Sequence, residues 1–345
     1  MNESEKLLSR FSQIYFFEEF VQDNLQFSEN NGDSKELADL ILNLEDVVVA
    51  IQMKERSDAD ITTNEFEENK WFENKINKAK RQIKETMDFV KQGKIPAFRN
   101  KRGIEIKIRK DAEIIPLIIF KNESITDYPR ILKKHSETGQ NVNCMSLKDF
   151  EIMCSMLISP GEIIDYLKYR CQFYEKYGYV INATSSPECE AALSAYFIVR
   201  YGQMDSLENT MQYEVFREFV QQTAVRSIVG RDTKDTYNIV LFMAHFTRDK
   251  IKAFFERVNL AKDKAKRGEY GIVGSLRDDK GEKFVVSFES SQSGLPYPCE
   301  DLLKKCVEKK CKFRQLLQVV VWWENTEKYR IDYVLWKGYN EDKTK

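Results

Sequence analysis

Eight residues, Val47-Val-Val-Ala-Ile-Gln-Met-Lys54, constrain the fold of this chain more than any other stretch. Five aliphatic side chains in a row, four of them β-branched, favour an extended strand buried in a sheet. Side chains alternate along a strand, so Gln52 and Lys54 project to the same side at its polar end. Just upstream, the short run Glu36-Leu-Ala-Asp39 ends on an acid. The turn Asn43-Leu-Glu-Asp46 folds the second run back antiparallel on the first. That pairing brings Asp39 to the Gln52/Lys54 end of the ladder. A carboxylate, a neutral amide oxygen and a lysine are thereby expected together on an otherwise apolar sheet. Any one of these residues could be a strand end meeting water, but the three together suit a divalent metal with a cation beside it.

Asp39, a twelve-residue gap and then Gln52-x-Lys54 resemble the PD-(D/E)XK nuclease superfamily, in the Mrr-like restriction endonuclease branch that carries Gln for the second acid. The likeness covers roughly residues 1–150. It implies an α/β fold, a restriction-endonuclease-like mixed sheet flanked by helices. It also implies Mg²⁺-dependent hydrolysis of phosphodiester bonds in DNA, with Mn²⁺ able to substitute, in a prokaryotic restriction or defence setting. Asp39 would then hold the metal, with Gln52 as a neutral ligand or water-orienting group and the Met53 backbone carbonyl completing the sphere. Lys54 would position the attacking water. The superfamily often takes a further acid from a helix before the sheet, and Glu18 is the choice for that role with Glu19 as the fallback. Glu18 falls on the apolar series Leu7, Phe11, Ile14, Val21, Leu25 of a helix expected over 4–25. Residues 65–92 are expected as a second helix, with Trp71, Lys75, Ala79, Gln82/Ile83, Thr86 and Val90 along one side. The superfamily packs a helix on the sheet after the Gln-x-Lys strand, which would turn Gln82 toward the site.

Charge is segregated. The net charge is −1, yet residues 1–68 hold 5 Lys/Arg against 17 Asp/Glu, and residues 69–110 hold 14 against 4. A basic segment directly after Lys54 suits a phosphate backbone as well as it suits a solvated helix face. Lys75, Lys78, Arg81, Gln82, Arg99, Lys101 and Arg102 are the candidate nucleic-acid contacts. Histidine chemistry is unsupported, because His135 and His245 are the only two. The seven cysteines lack metal-ligand spacing, and no apolar run approaches a membrane span. A reduced, cytoplasmic protein without a membrane partner is expected, and a homodimer is compatible.

Beyond the basic segment, residues 104–109 alternate as a half-buried strand and 115–120 form a central one, followed by a short strand near 142–145. About five strands are expected in this sheet. Ser159-Pro-Gly-Glu162 opens a helix with a capping box, and Gly178 closes it. A boundary near 178–186 separates a nuclease-like domain, 1–178, from an α+β domain, 179–345, that would recognise substrate or sense a ligand. Helices are expected over 187–201, 207–228 and 233–267. Two hairpins follow, 270–277 with 283–288 and 316–323 with 328–336. Trp322, Trp323, Tyr329, Tyr333, Trp336 and Tyr339 cluster on the last, where they either pack on helices or form a face that stacks bases or recognises a ligand. A nuclease-fold protein that binds nucleic acid or another partner without cleaving is the competing reading of the whole.

Overall fold

A computed structural model of the chain describes residues 3–23, 25–28, 34–100, 102–132, 139–178, 188–202, 215–221, 233–277, 282–290, 315–324 and 328–337. Two compact units divide at Arg217/Glu218. That division lies past the expected 178–186 boundary because helix α5, Glu188–Tyr201, packs back on α4, Pro160–Tyr177. Tyr196 of α5 stacks edge-on against Tyr166 of α4 at 5.3 Å, and its hydroxyl donates to Asp165 at 2.9 Å.

The first unit is a mixed α/β structure built on six strands: β1 (Val21–Asp23), β4 (Leu40–Asn43), β5 (Val47–Glu55), β8 (Glu113–Lys121), β10 (Val142–Ser146) and β9 (Ile131–Leu132), in that spatial order. β2 (Gln26–Ser28) pairs β3 (Ser34–Glu36), and β6 (Phe98–Arg99) pairs β7 (Glu105–Ile106), as separate ribbons. The pairs β1–β4 and β4–β5 are antiparallel, whereas β5–β8 and β8–β10 are parallel. Parallel pairing of β5 with β8 requires a crossover, and helix α2 (Glu65–Gln92) supplies it. Val47 through Ile51 and Leu117 through Phe120 are almost entirely buried, as the apolar runs anticipated. Each such aliphatic side chain contributes roughly 1.5–3 kcal/mol of transfer free energy. Pro116 sits in β8 where the ladder to β10, which starts at Leu117, has not yet begun.

On one face Val48, Ala50, Ile118 and Phe120 meet Phe72, Ile76, Ala79 and Ile83 of α2. The alternate residues Val49, Ile51, Leu117 and Ile119 are equally dry and belong to the opposite face, where α3 (Leu147–Met156) and α4 pack. Asn64 caps the start of α2 and Gly93, at φ 64°, its end. The buried stripe of α2 runs through Phe72 and Ile76, so Trp71 and Gln82 fall half-buried at its edge and Lys75 outside it. Ser159 accepts from Glu162 N at 3.1 Å and Gly178 takes φ 78°, as the capping box and glycine implied for α4.

Helix α1 (Glu3–Tyr15) departs from expectation twice. It ends ten residues early, with Phe17 at φ 60° breaking the helical path before β1 begins. Its buried side is Ser4, Leu8, Ser9 and Ser12, leaving Leu7 and Ile14 exposed. Small side chains let the helix approach closely, and the hydroxyls of Ser4 and Ser9 find Glu55 and Asp23, each at 2.6 Å.

In the second unit both expected hairpins are present: β11 (Gly271–Arg277) with β12 (Glu282–Ser290), and β13 (Gln315–Glu324) with β14 (Lys328–Lys337). β12 and β13 join in parallel, giving one four-stranded sheet. The single helix expected over 233–267 is two, Thr233–Ala244 and Arg248–Lys266. Among the described residues no helix is long and apolar enough to cross a membrane.

Candidate metal and phosphate site

Register assembles the site. Leu40 pairs Ile51 and Ile41 pairs Ala50, so the next step outward sets Asp39 opposite Gln52. The contact is closed by the Met53 backbone N–H, which donates to Asp39 Oδ2 at 2.6 Å. Gln52 and Lys54 share the α2 face of the sheet with Val48 and Ala50, beyond the last apolar residue of that face. The Lys54 ammonium donates to the Met53 carbonyl at 2.8 Å and to Gln52 Oε1 at 3.0 Å, and lies 3.5 Å from Asp39 Oδ2. Three oxygens of three chemical kinds therefore surround one cation. Among the described residues Asp39 Oδ1 has no protein partner.

The pair is poorly solvated, with the Asp39 and Lys54 side chains 12% and 11% exposed and Gln52 buried. Burial pushes the Asp39 carboxyl above its ordinary value of 3.8, against the pull of Lys54 and the Met53 N–H, and Glu5 adds to the rise. Burial likewise holds Lys54 below 10.5; Asp39 opposes that shift, while the neighbouring charge of Lys78 adds to it. Both partners are thus drawn toward neutrality by the dry surroundings.

Glu5, in the first turn of α1, is the helix acid whose charge reaches Asp39 and Lys54. Glu18 and Glu19, expected in that role, are held elsewhere. They lie in the turn after α1 rather than on it, and both are ion-paired with Arg102, Glu18 Oε1 at 3.0 Å and Glu19 Oε1 at 2.5 Å. The correction follows from the early end of α1, which removes Glu18 from the helical stripe. Glu5 was legible only as an acid near a helix start, because the apolar series through Leu7 put the buried side on the wrong face.

Of the proposed nucleic-acid contacts, Lys75, Lys78 and Arg81 are exposed on α2, and Lys78 is close enough to act on Lys54. Gln82 is half-buried beside them, and its Oε1 is buried without a hydrogen-bond partner among the described residues. Arg99 is exposed on β6. Lys101 lies outside the described residues. Arg102 departs from expectation, since its guanidinium spans Glu18 and Glu19 instead of facing solvent as a phosphate contact.

A second ion pair adjoins the site and was not anticipated. Arg56, two residues beyond Lys54, contacts Glu68 of α2 at 2.8 Å and lies over the Trp71 ring, 5.7 Å from its centre. Glu68 is buried and also accepts from Thr62 N at 2.9 Å and Asn122 Nδ2 at 2.8 Å. The signal available in sequence was an acid on the apolar stripe of α2, four residues before Phe72.

The oxygen set of Asp39, Gln52 and the Met53 carbonyl fits a hard cation such as Mg²⁺ in kind, because the same three oxygens already converge on an ammonium. Among the described residues no group of three or more His, Cys, Asp and Glu side chains is gathered for a metal, so such a site would rest on Asp39 with Glu5 nearby and on neutral oxygens. No protein-family model, curated protein or solved structure matches the chain.

Proposed function

We propose that this chain hydrolyses phosphodiester bonds in DNA with a divalent metal, at the end of β5. The observation that supports the reading is the convergence of Asp39, Gln52 and Lys54 across the β4–β5 register. Asp39, Gln52 and the Met53 carbonyl would hold Mg²⁺ or Mn²⁺, with Glu5 the acid placed to add negative charge. A bound ion of this kind supplies Lewis-acid charge and a more acidic water. Lys54, released from its three oxygens, offsets negative charge that builds on the phosphate oxygens as water attacks phosphorus. Lys78, Lys75 and Arg81 on the adjoining face of α2 hold the strand through its phosphates. A prokaryotic restriction or defence role is the setting that the Gln-x-Lys pattern implies.

The test is nicking of supercoiled DNA by purified protein with Mg²⁺ or Mn²⁺. Asp39→Asn and Lys54→Met remove it, Glu5→Gln weakens it, and Glu18→Gln leaves it within about twofold, a surface change away from the reacting groups. Equal nicking by wild type and both site variants would sink the assignment. One observation favours the alternative of binding without cleavage: Asp39 is the one carboxylate in direct contact with Lys54 among the described residues. That alternative gains if metal-loaded wild type leaves DNA intact yet binds it with steep salt dependence.

A further inference from the structure

The second unit carries a cluster that the hydrolytic site does not use. Trp323 of β13 and Tyr329 of β14 are cross-strand partners, and their rings lie 4.7 Å apart with planes tilted by 56°. Two lysines from the helix Arg248–Lys266 stand over these rings, Lys262 5.4 Å from the centre of Tyr329 and Lys266 5.6 Å from that of Trp323. Four residues apart, the lysines lie one above the other on the helix. They flank its buried stripe of Val258, Ala261 and Ala265.

Burial is graded along these strands. Val319 and Val321 of β13 are fully buried and Tyr333 of β14 nearly so, its ring meeting Phe219 at 5.8 Å. At the other end of the same face Trp323 is half-buried and Tyr329 is 36% exposed. The ring pair therefore forms a wet rim on a dry sheet. Nearby acid does not neutralise the lysines. Glu269 is taken by Arg267 at 2.8 Å and Lys264 at 3.8 Å, while Lys262 and Lys266 have no ion-pair partner among the described residues.

We propose that Trp323, Tyr329, Lys262 and Lys266 form a docking surface for single-stranded DNA, an unpaired base stacking on the ring pair while the two ammoniums meet flanking phosphates. Charge and shape select this occupant. A ring face accepts any base, and a stacked base takes the place of the two cation–π contacts. The displaced ammoniums gain phosphate partners where they now have no carboxylate. A duplex keeps its base faces covered, so an unpaired strand is required. The choice of DNA rests on the proposed substrate of the first unit, whereas the stacking geometry does not.

Fluorescence anisotropy of a labelled oligothymidylate tests this with the full chain carrying Asp39→Asn, in EDTA, so that cleavage plays no part. Lys262→Gln/Lys266→Gln should weaken binding about tenfold or more at low salt. It should also reduce the slope of log affinity against log salt by about 1.4, from about 0.7 per lost phosphate contact on a single strand. Trp323→Leu should weaken binding by about 5- to 100-fold, and Trp323→Phe, which keeps a ring, should retain most of it. Unchanged binding in the double lysine and Leu variants overturns the proposal, as does an absence of binding by the parent. Sensitivity confined to Lys75→Gln/Lys78→Gln overturns it by placing the contact on α2. Tighter binding of oligouridylate, lost in the same variants, overturns the choice of DNA. Binding that meets these expectations while wild type fails to nick DNA sinks the hydrolytic reading alone.

Discussion

Lys54 near the end of β5 and Arg56 just past it each stand beside a carboxylate largely out of water, yet the two pairs are built to opposite ends. Burial by itself would push the Glu68 carboxyl up. The Thr62 N–H, Asn122 Nδ2 and Thr62 hydroxyl, with the Arg56 charge, outweigh it and hold Glu68 below its ordinary value. Asp39 receives one backbone N–H and a lysine at 3.5 Å, and burial prevails. The number of donors aimed at the carboxylate decides the sign. Glu68 is a saturated anchor joining α2 to the strand ends. Asp39 keeps one oxygen without a protein partner among the described residues, open to the metal proposed above.

The largest expected difference between the pairs is in activity. Lys54→Met should reduce DNA cleavage by about 10²- to 10³-fold, the usual result of removing one charge-stabilising donor from a reacting centre. Arg56→Met should lower the melting temperature but leave the rate per folded molecule near that of wild type. Equal loss in both variants would merge the two pairs into one functional unit.

Stability should separate them next, and in opposite directions. Glu68→Ala strips an acceptor from Thr62, Asn122 and Arg56 together, so its urea midpoint should fall below that of Asp39→Ala. Replacing the other pair as a whole, Asp39→Leu/Lys54→Met, should stabilise the protein by about 1–4 kcal/mol, because two poorly solvated charges give way to apolar groups of similar size. The measurement is a rise in urea midpoint without a change in slope. A double variant less stable than wild type would show that the pair is structural after all.

These contrasts mark what the sequence could convey. The β4–β5 hairpin, the crossover helix, the caps at Ser159, Gly93 and Gly178, and both distal hairpins follow from local patterns: β-branched runs, turn residues and glycines at helix ends. The convergence of Asp39 with Gln52 and Lys54 was legible because one antiparallel register sets it. What escaped depends on contacts between distant elements. Nothing local in Leu7, Phe11 and Ile14 says that Ser4, Leu8 and Ser12 will face inward instead, since the serines are buried by the close approach of the helix and by Glu55 and Asp23. That error placed Glu18 on the helix and hid Glu5. Glu68 was hidden for a related reason: its partners Thr62 and Asn122 come together only when α2 is laid across β5 and β8. The unit boundary was displaced likewise, by the tyrosine contacts between α4 and α5.

The smallest effect concerns pH, and it isolates Glu5. In the metal-free protein Asp39 titrates above 3.8, so between 3.8 and its folded value the folded state binds more protons than the unfolded. Stability therefore falls as pH rises through that window. Lys54 titrates below 10.5, so stability recovers as pH rises from its folded value toward 10.5. Glu68 acts oppositely to Asp39: its contribution is present above 4.5 and is lost as pH falls through its lower folded value. Glu5 raises both Asp39 and Lys54. Glu5→Gln should then bring Asp39 closer to 3.8, narrowing the acid-side fall, and move Lys54 further from 10.5, widening the alkaline recovery. Melting temperature against pH in EDTA, taken as the difference between Glu5→Gln and wild type, reads both limbs at once. A difference curve flat on both limbs would remove Glu5 from the site, whereas displacement of both toward lower pH would identify the helix acid by its charge.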